Sequence, residues 1–149
     1  MKSFAFLILS LTFVSCNMFH SGSESQLEEQ VDSFAIYYFN LQFYNSVRFV
    51  TPESKKWMSY AASQVHEADI ELLRQKEKIA TYTLNDIDYH ENDTTADARI
   101  TVHNFLQMDT IGKACQLVEK AEFAIPLVYR EQEDKWIVNL NGLPRPLRK

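Results

Sequence analysis

Between Ala96 and Met108 the chain alternates. Ala96, Ala98, Ile100, Val102, Asn104, Leu106 and Met108 form one set, small, apolar or amide, while Asp97, Arg99, Thr101, His103 and Gln107 form a polar second set. A period of two places the sets on opposite faces of a strand, one of them turned toward a core. The stretch Ala114 to Arg130 repeats the pattern, with Cys115, Leu117, Ala121, Phe123, Ile125, Leu127 and Tyr129 facing inward and Glu119 interrupting them. Two long strands with one apolar face need a second layer across that face.

The N-terminal half supplies helices. Ser25 and Glu28 make an S-x-x-E capping box, and behind it Leu27, Val31, Phe34, Tyr38 and Leu41 recur at helical spacing, predicting a helix to about Gln42. Ile36, Tyr37 and Phe39 widen its apolar zone beyond one stripe. Phe43 to Val50 reads as a connector. Thr51 as N-cap, Pro52 in the first turn and Glu53 against the dipole start a second helix, with Trp57, Met58, Tyr60, Ala61 and Ala62 on its buried face. A third begins at Ser63 or His66 and ends near Lys76, with Val65, Ala68, Ile70, Leu72 and Leu73 as apolar members. Two separate helices and one bent rod both fit this pattern.

From Ile79 the pattern becomes that of strands. Ala80, Tyr82 and Leu84 share one parity and Ile87 and Tyr89 the other, so a bulge near Asn85-Asp86 keeps both sets inward. Glu91 to Thr95 is a hairpin turn, Asp109 to Gly112 the next turn and Glu131 to Asp134 the one after. Trp136, Val138 and Leu140 form a last strand, which Asn141-Gly142 stops. Pro126 removes a donor from the third strand and so marks an edge, a bulge or a solvent-facing position. The expected fold class is α+β, with N-terminal helices packed on a curved four-stranded antiparallel sheet.

The first residues change the picture. Lys2 precedes an apolar run, Phe4 to Val14, too short to span a bilayer and suited to an export signal. Phe13-Val14-Ser15-Cys16 resembles the lipobox of bacterial lipoproteins, although Phe13 stands where a leucine-like residue is usual; an ordinary secretory signal cut near Cys16 is the alternative. Lipidation at Cys16 would anchor the chain to a bacterial membrane of the cell envelope, the outer membrane for preference, with the domain in the periplasm or at the cell surface. The expected division is residues 1–15 signal peptide, 16–24 lipidated N-terminus and tether, 25–142 one domain, and 143–149 basic tail. Cys115 then has no partner and belongs in the core. The formal charge of −5, with no basic stripe but Arg145, Arg148 and Lys149, argues against nucleic acid, and that tail is expected to stay solvated.

The words Phe39-Asn40-Leu41-Gln42-Phe43, Phe49-Val50-Thr51-Pro52-Glu53-Ser54, Asn104-Phe105-Leu106 and Lys135-Trp136-Ile137-Val138 follow this element order. Over about Ser25 to Leu140 the chain resembles small bacterial lipoproteins of unknown function in the nuclear transport factor 2-like, or cystatin-like, superfamily, some of them labelled lumazine-binding-like. The resemblance implies a cone in which a curved sheet wraps around helices and encloses a pocket. In some relatives that pocket performs acid–base work, such as isomerisation or dehydration, with an Asp or a His–Asp pair. Relatives also pair through the outer sheet face.

Candidates for such chemistry are Asp86, Asp88, His90, His103 and Asn104. By parity Asp88, His90 and His103 point away from the core, leaving Asn104 and, at the bulge, Asp86 as a weak catalytic candidate for an isomerase, dehydratase or hydrolase. So thin a set favours a non-catalytic binding or accessory domain. Its ligand-binding residues are expected to be Tyr38, Trp57, Tyr60, Tyr82 and Asn104, taking a small apolar or aromatic ligand or an envelope protein partner; ordinary core is the plainer reading of the same aromatics. A structural homodimer would pair around Arg99, Thr101, Phe105, Val118 and Val128. No metal-ligand spacing, phosphate loop or nucleophile elbow is present, and no cofactor is expected.

Overall fold

The computed structural model describes residues 22–108 and 113–148. The expected signal peptide, Cys16 and the turn at Asp109 to Gly112 lie outside the described residues.

Helix α1 spans Glu24–Phe39 and buries Leu27, Val31, Phe34, Ala35, Tyr38 and Phe39. Its N-cap is Ser23, not Ser25: Ser23 has the extended backbone that a cap needs, and its hydroxyl accepts from the Gln26 N–H at 3.2 Å. The expected tether therefore ends in structure. The helix also stops earlier than predicted, because Asn40 caps it and Leu41 turns to φ 59°. The Asn40 side chain donates to the carbonyls of Ile36 (2.8 Å) and Ala80 (3.1 Å) and accepts from the Ala80 N–H (2.8 Å), which fixes the end of α1 to the start of the sheet. Asn40→Ala is expected to cost about 2 kcal/mol, since it strands both buried backbone groups of Ala80, and a urea midpoint unchanged from the native chain would contradict that clip.

The connector is docked rather than loose. A single helical turn, α2 (Phe43–Ser46), and a 3-10 turn lead to Val50, which bridges to Val138 in parallel. Thr51 does not cap a helix with its side chain. Its hydroxyl contacts the Ser54 hydroxyl at 2.6 Å and donates to Asn139 Oδ1 at 3.0 Å, while Ser54 Oγ accepts from the Leu140 N–H at 2.8 Å. These buried hydroxyls serve the far end of the chain instead. Helices α3 (Lys55–Ser63) and α4 (Glu67–Gln75) are separate, with His66 as N-cap of the second and Asp69 completing its capping box.

The sheet runs β1 (Thr81–Tyr89), β2 (Thr95–Gln107), β3 (Gln116–Arg130) and β4 (Lys135–Val138), each antiparallel to the next and in that spatial order. This is the expected α+β arrangement, helices before an open antiparallel sheet. The expected bulge falls at Asn85, between the Leu84–Ile100 and Asp86–Arg99 pairs. Ile100 lies opposite Phe123 and Ala98 opposite Ile125, so Val102 and Phe123 share a face and join α1 in one buried cluster. Pro126 sits where the β3–β4 ladder ends: Leu127–Val138 is the last pair, Asn139 N–H still donates to Pro126 O at 2.9 Å, and the missing reciprocal donor falls beyond the strand.

The alternation holds along β2 only as far as His103. Asn104 adopts φ 53°, and pairing passes from His103–Lys120 to Phe105–Val118, skipping Asn104 and Glu119. With one residue lost from the ladder in each strand, both change parity. Phe105 therefore turns into the core, 5.5 Å from both Phe39 and Phe123, Val118 packs with it, and Leu117, expected inward, is 60% exposed. The outer face expected to dimerise loses most of its apolar residues: Phe105 and Val118 are spent on the core, and Thr101 is buried beneath Asn85, whose amide donates to it at 2.9 Å.

Candidate functional site

Past the kink at Asn104, the end of β2, the end of α1, α3 and the C-terminal segment border one groove. Tyr38, Phe39 and Leu41 from the end of α1 form its floor, Trp57, Tyr60 and Gln64 from α3 one wall, and Phe105, Leu106, Gln107, Met108 and Phe123 the sheet side. The remaining wall is the C-terminal segment. β4 covers β3 only along Leu127–Arg130, so the rest of that edge is open, and the Leu147 N–H takes one of its acceptors, Glu122 O, at 2.8 Å. Pro144 and Pro146 hold the segment extended. The result is an open groove of about 1120 Å³, large for a small-molecule site.

Its aromatics are packed against one another. Tyr38 stacks on Phe34 at 5.2 Å and meets Phe39 and Phe43 edge-on at 5.1 and 5.4 Å. Burial pushes the Tyr38 phenol well above its usual range. Trp57 meets Tyr60 edge-on at 6.5 Å, and Lys56 Nζ lies 5.3 Å from the Trp57 ring. Both Trp57 and Tyr60 are partly exposed.

Three of the five expected ligand residues, Tyr38, Trp57 and Tyr60, thus line one groove, and two do not. Tyr82 packs on α1, where its hydroxyl donates to Asp32 Oδ1 at 2.7 Å; burial and then that carboxylate raise its pKa. Asn104 is the kink itself, a left-handed position that asparagine tolerates better than most residues. The groove residues not nominated from the sequence include Lys113 and, from the tail, Leu143 to Pro146 and Arg148. Arg145 and Arg148 of the tail are exposed, as expected of a solvated tail, while Leu143, Pro144 and Pro146 are half-buried along the groove. The tail's two prolines and two leucines were the available signal, since an extended apolar strip suits an unpaired edge.

The acid–base candidates lie elsewhere. Asp86 is exposed, 4.0 Å from Arg99 Nε, and borders no part of the groove. His90 sits on the β1–β2 turn, Nδ1 2.7 Å from Thr95 Oγ1 and Nε2 3.1 Å from Asp97 Oδ2. This hydroxyl–imidazole–carboxylate line has the order of a nucleophilic relay, but Thr95 Oγ1 also donates to Asn92 Oδ1 at 3.0 Å, and Asn92 accepts from the Thr94 and Thr95 N–H groups. The network is the hydrogen bonding of the turn. Asp88 is exposed and His103 half-buried, both outside the groove.

One carboxylate unremarked in the sequence is fully buried. Asp69 Oδ2 accepts from the His66 N–H at 2.8 Å and Oδ1 from the Cys115 N–H at 2.6 Å. Burial alone would raise its pKa, but the two backbone donors outweigh it and hold the carboxyl below its ordinary value. Cys115 is free and buried, its thiol pushed up to about 12 by burial and by Asp69. Among the described residues no group of His, Cys, Asp and Glu could hold a metal, and no helix is long and apolar enough to cross a membrane. Set against known protein families, curated proteins and solved structures, the chain matches none.

Proposed function

We propose that this chain is a non-catalytic binding domain of the bacterial cell envelope, held to its membrane by lipid on Cys16, which takes a small apolar or aromatic ligand in the groove beneath α3. The groove itself carries the reading: Trp57, Tyr60, Leu41, Met108 and Leu143 present apolar surface to it above the buried rings of Tyr38, Phe39, Phe105 and Phe123, and among its described lining residues there is no carboxylate or histidine. The order of helices and bulged strands supports placing the domain with the nuclear transport factor 2-like lipoproteins, whose concave sheets also face helices. Asp86 is exposed beside Arg99 and does not line this groove, so the groove gives the acid–base alternative no support.

Native mass spectrometry of the purified full-length chain is expected to show a co-purified small molecule, lost in Trp57→Ala and Tyr60→Ala variants that still fold. Each ring removed should weaken binding by roughly tenfold, the worth of one aromatic contact. Full occupancy in both variants would remove the groove from consideration.

A further inference from the structure

The groove is sorted by charge. Its apolar residues lie toward α1 and the sheet, whereas Lys113, Arg145 and Arg148 are exposed along it, and among the described residues neither Asp nor Glu lines it. Four cations elsewhere have carboxylate neighbours, Arg74 with Glu71, Arg99 with Asp86, Arg130 and Lys135 with Glu133, whereas others such as Arg48, Lys55 and Lys120 are solvated without one among the described residues. What sets the groove apart is that three cations converge on one apolar space. Lys113, Arg145 and Arg148 have no ion pair among the described residues.

Resting on the binding function proposed above, we infer that the ligand is an elongated apolar molecule with an anionic head, a free long-chain carboxylate. Its hydrocarbon lies against the accessible surfaces of Leu41, Trp57, Tyr60, Met108 and Leu143, and its carboxylate meets Lys113, Arg145 and Arg148. The division is physically economical. The hydrocarbon gains from leaving water, while the head stays at an exposed rim, where a charge needs no costly desolvation. Arginine suits this end because its planar fork matches a carboxylate with two parallel hydrogen bonds.

The test compares dodecanoate with dodecanol on the full-length chain, read by fluorescence and calorimetry. Trp57 is the reporter, since the other tryptophan, Trp136, is fully buried outside the groove. Dodecanoate is expected to bind about tenfold more tightly than the alcohol, the combined worth of a few exposed ion pairs, and added salt should narrow the gap. The triple variant Lys113→Gln, Arg145→Gln, Arg148→Gln should lose that preference and keep its affinity for dodecanol, which also reports that it folds. Equal affinity of the native chain for acid and alcohol would overturn the anionic head while leaving the groove standing. If neither binds, the binding function fails with it. Adsorption to phosphatidylglycerol vesicles without any response to dodecanoate would overturn the inference in favour of a membrane-facing cationic surface.

Discussion

Replacing Trp136 with alanine is expected to lower stability by about 3–5 kcal/mol, a large part of the 5–15 kcal/mol that holds a typical domain. Trp136 is 0% exposed and sits where the two ends of the domain meet. Its ring lies 5.9 Å from Tyr89 on β1 and 5.6 Å from Tyr129 on β3, and its backbone N–H donates to Gln26 Oε1 on α1 at 3.2 Å. Gly22, just before the α1 cap, approaches the indole so closely that a Cβ there would stand 2.9 Å from Nε1, and its φ of 71° suits glycine. A cavity here would therefore loosen α1, β1 and the β3–β4 hairpin together. Trp136→Phe should lose clearly less, because a ring still fills most of the space. Urea unfolding followed by circular dichroism checks both; a loss under about 1 kcal/mol for Trp136→Ala would mean that these elements close without the indole.

The strands were legible because each buries one face, and a single buried face writes a period of two into the sequence. Ala96 to Val102 and Ala121 to Leu127 carry that signal cleanly, as did the parity change that located the bulge at Asn85. The kink at Asn104 was hidden for a physical reason: it removes a residue from both strands at once, so the register on either side is unchanged and only the faces exchange. Phe105 was consequently placed outside and Leu117 inside, the reverse of what forms. Of the groove, the helix aromatics could be nominated from spacing, but its fourth wall depends on which edge of β3 is left open. That follows from β4 being short, a tertiary fact with no local pattern. Tyr82 shows the converse, an aromatic of inward parity whose end is taken up by Asp32.

Asp69→Asn is expected to free α4 while leaving the sheet intact, lowering the free energy for opening Glu67–Gln75 by about 3 kcal/mol in hydrogen exchange. An ordinary surface helix is held by an apolar stripe, but Asp69 is the buried residue of α4, and Ile70 is 41% exposed. The carboxylate offers one oxygen to His66 N–H and the other to Cys115 N–H, fixing the helix start to the approach of β3, next to the segment that carries Lys113. An amide has the same shape but one oxygen only, so its NH₂ must face one of those donors; asparagine should therefore cost nearly as much as alanine. The pH dependence follows from the sign of the shift. The folded carboxyl lies below its unfolded value of 3.8, so its contribution is fully present above that pH and is lost as pH falls through the lower folded value. Native and Asp69→Asn chains should thus differ most near neutrality and converge in acid below about pH 4. Protection of α4 that is equal in the two chains at neutral pH would show that the helix is held by Leu72 and Leu73 instead, and that the carboxylate is merely enclosed by it.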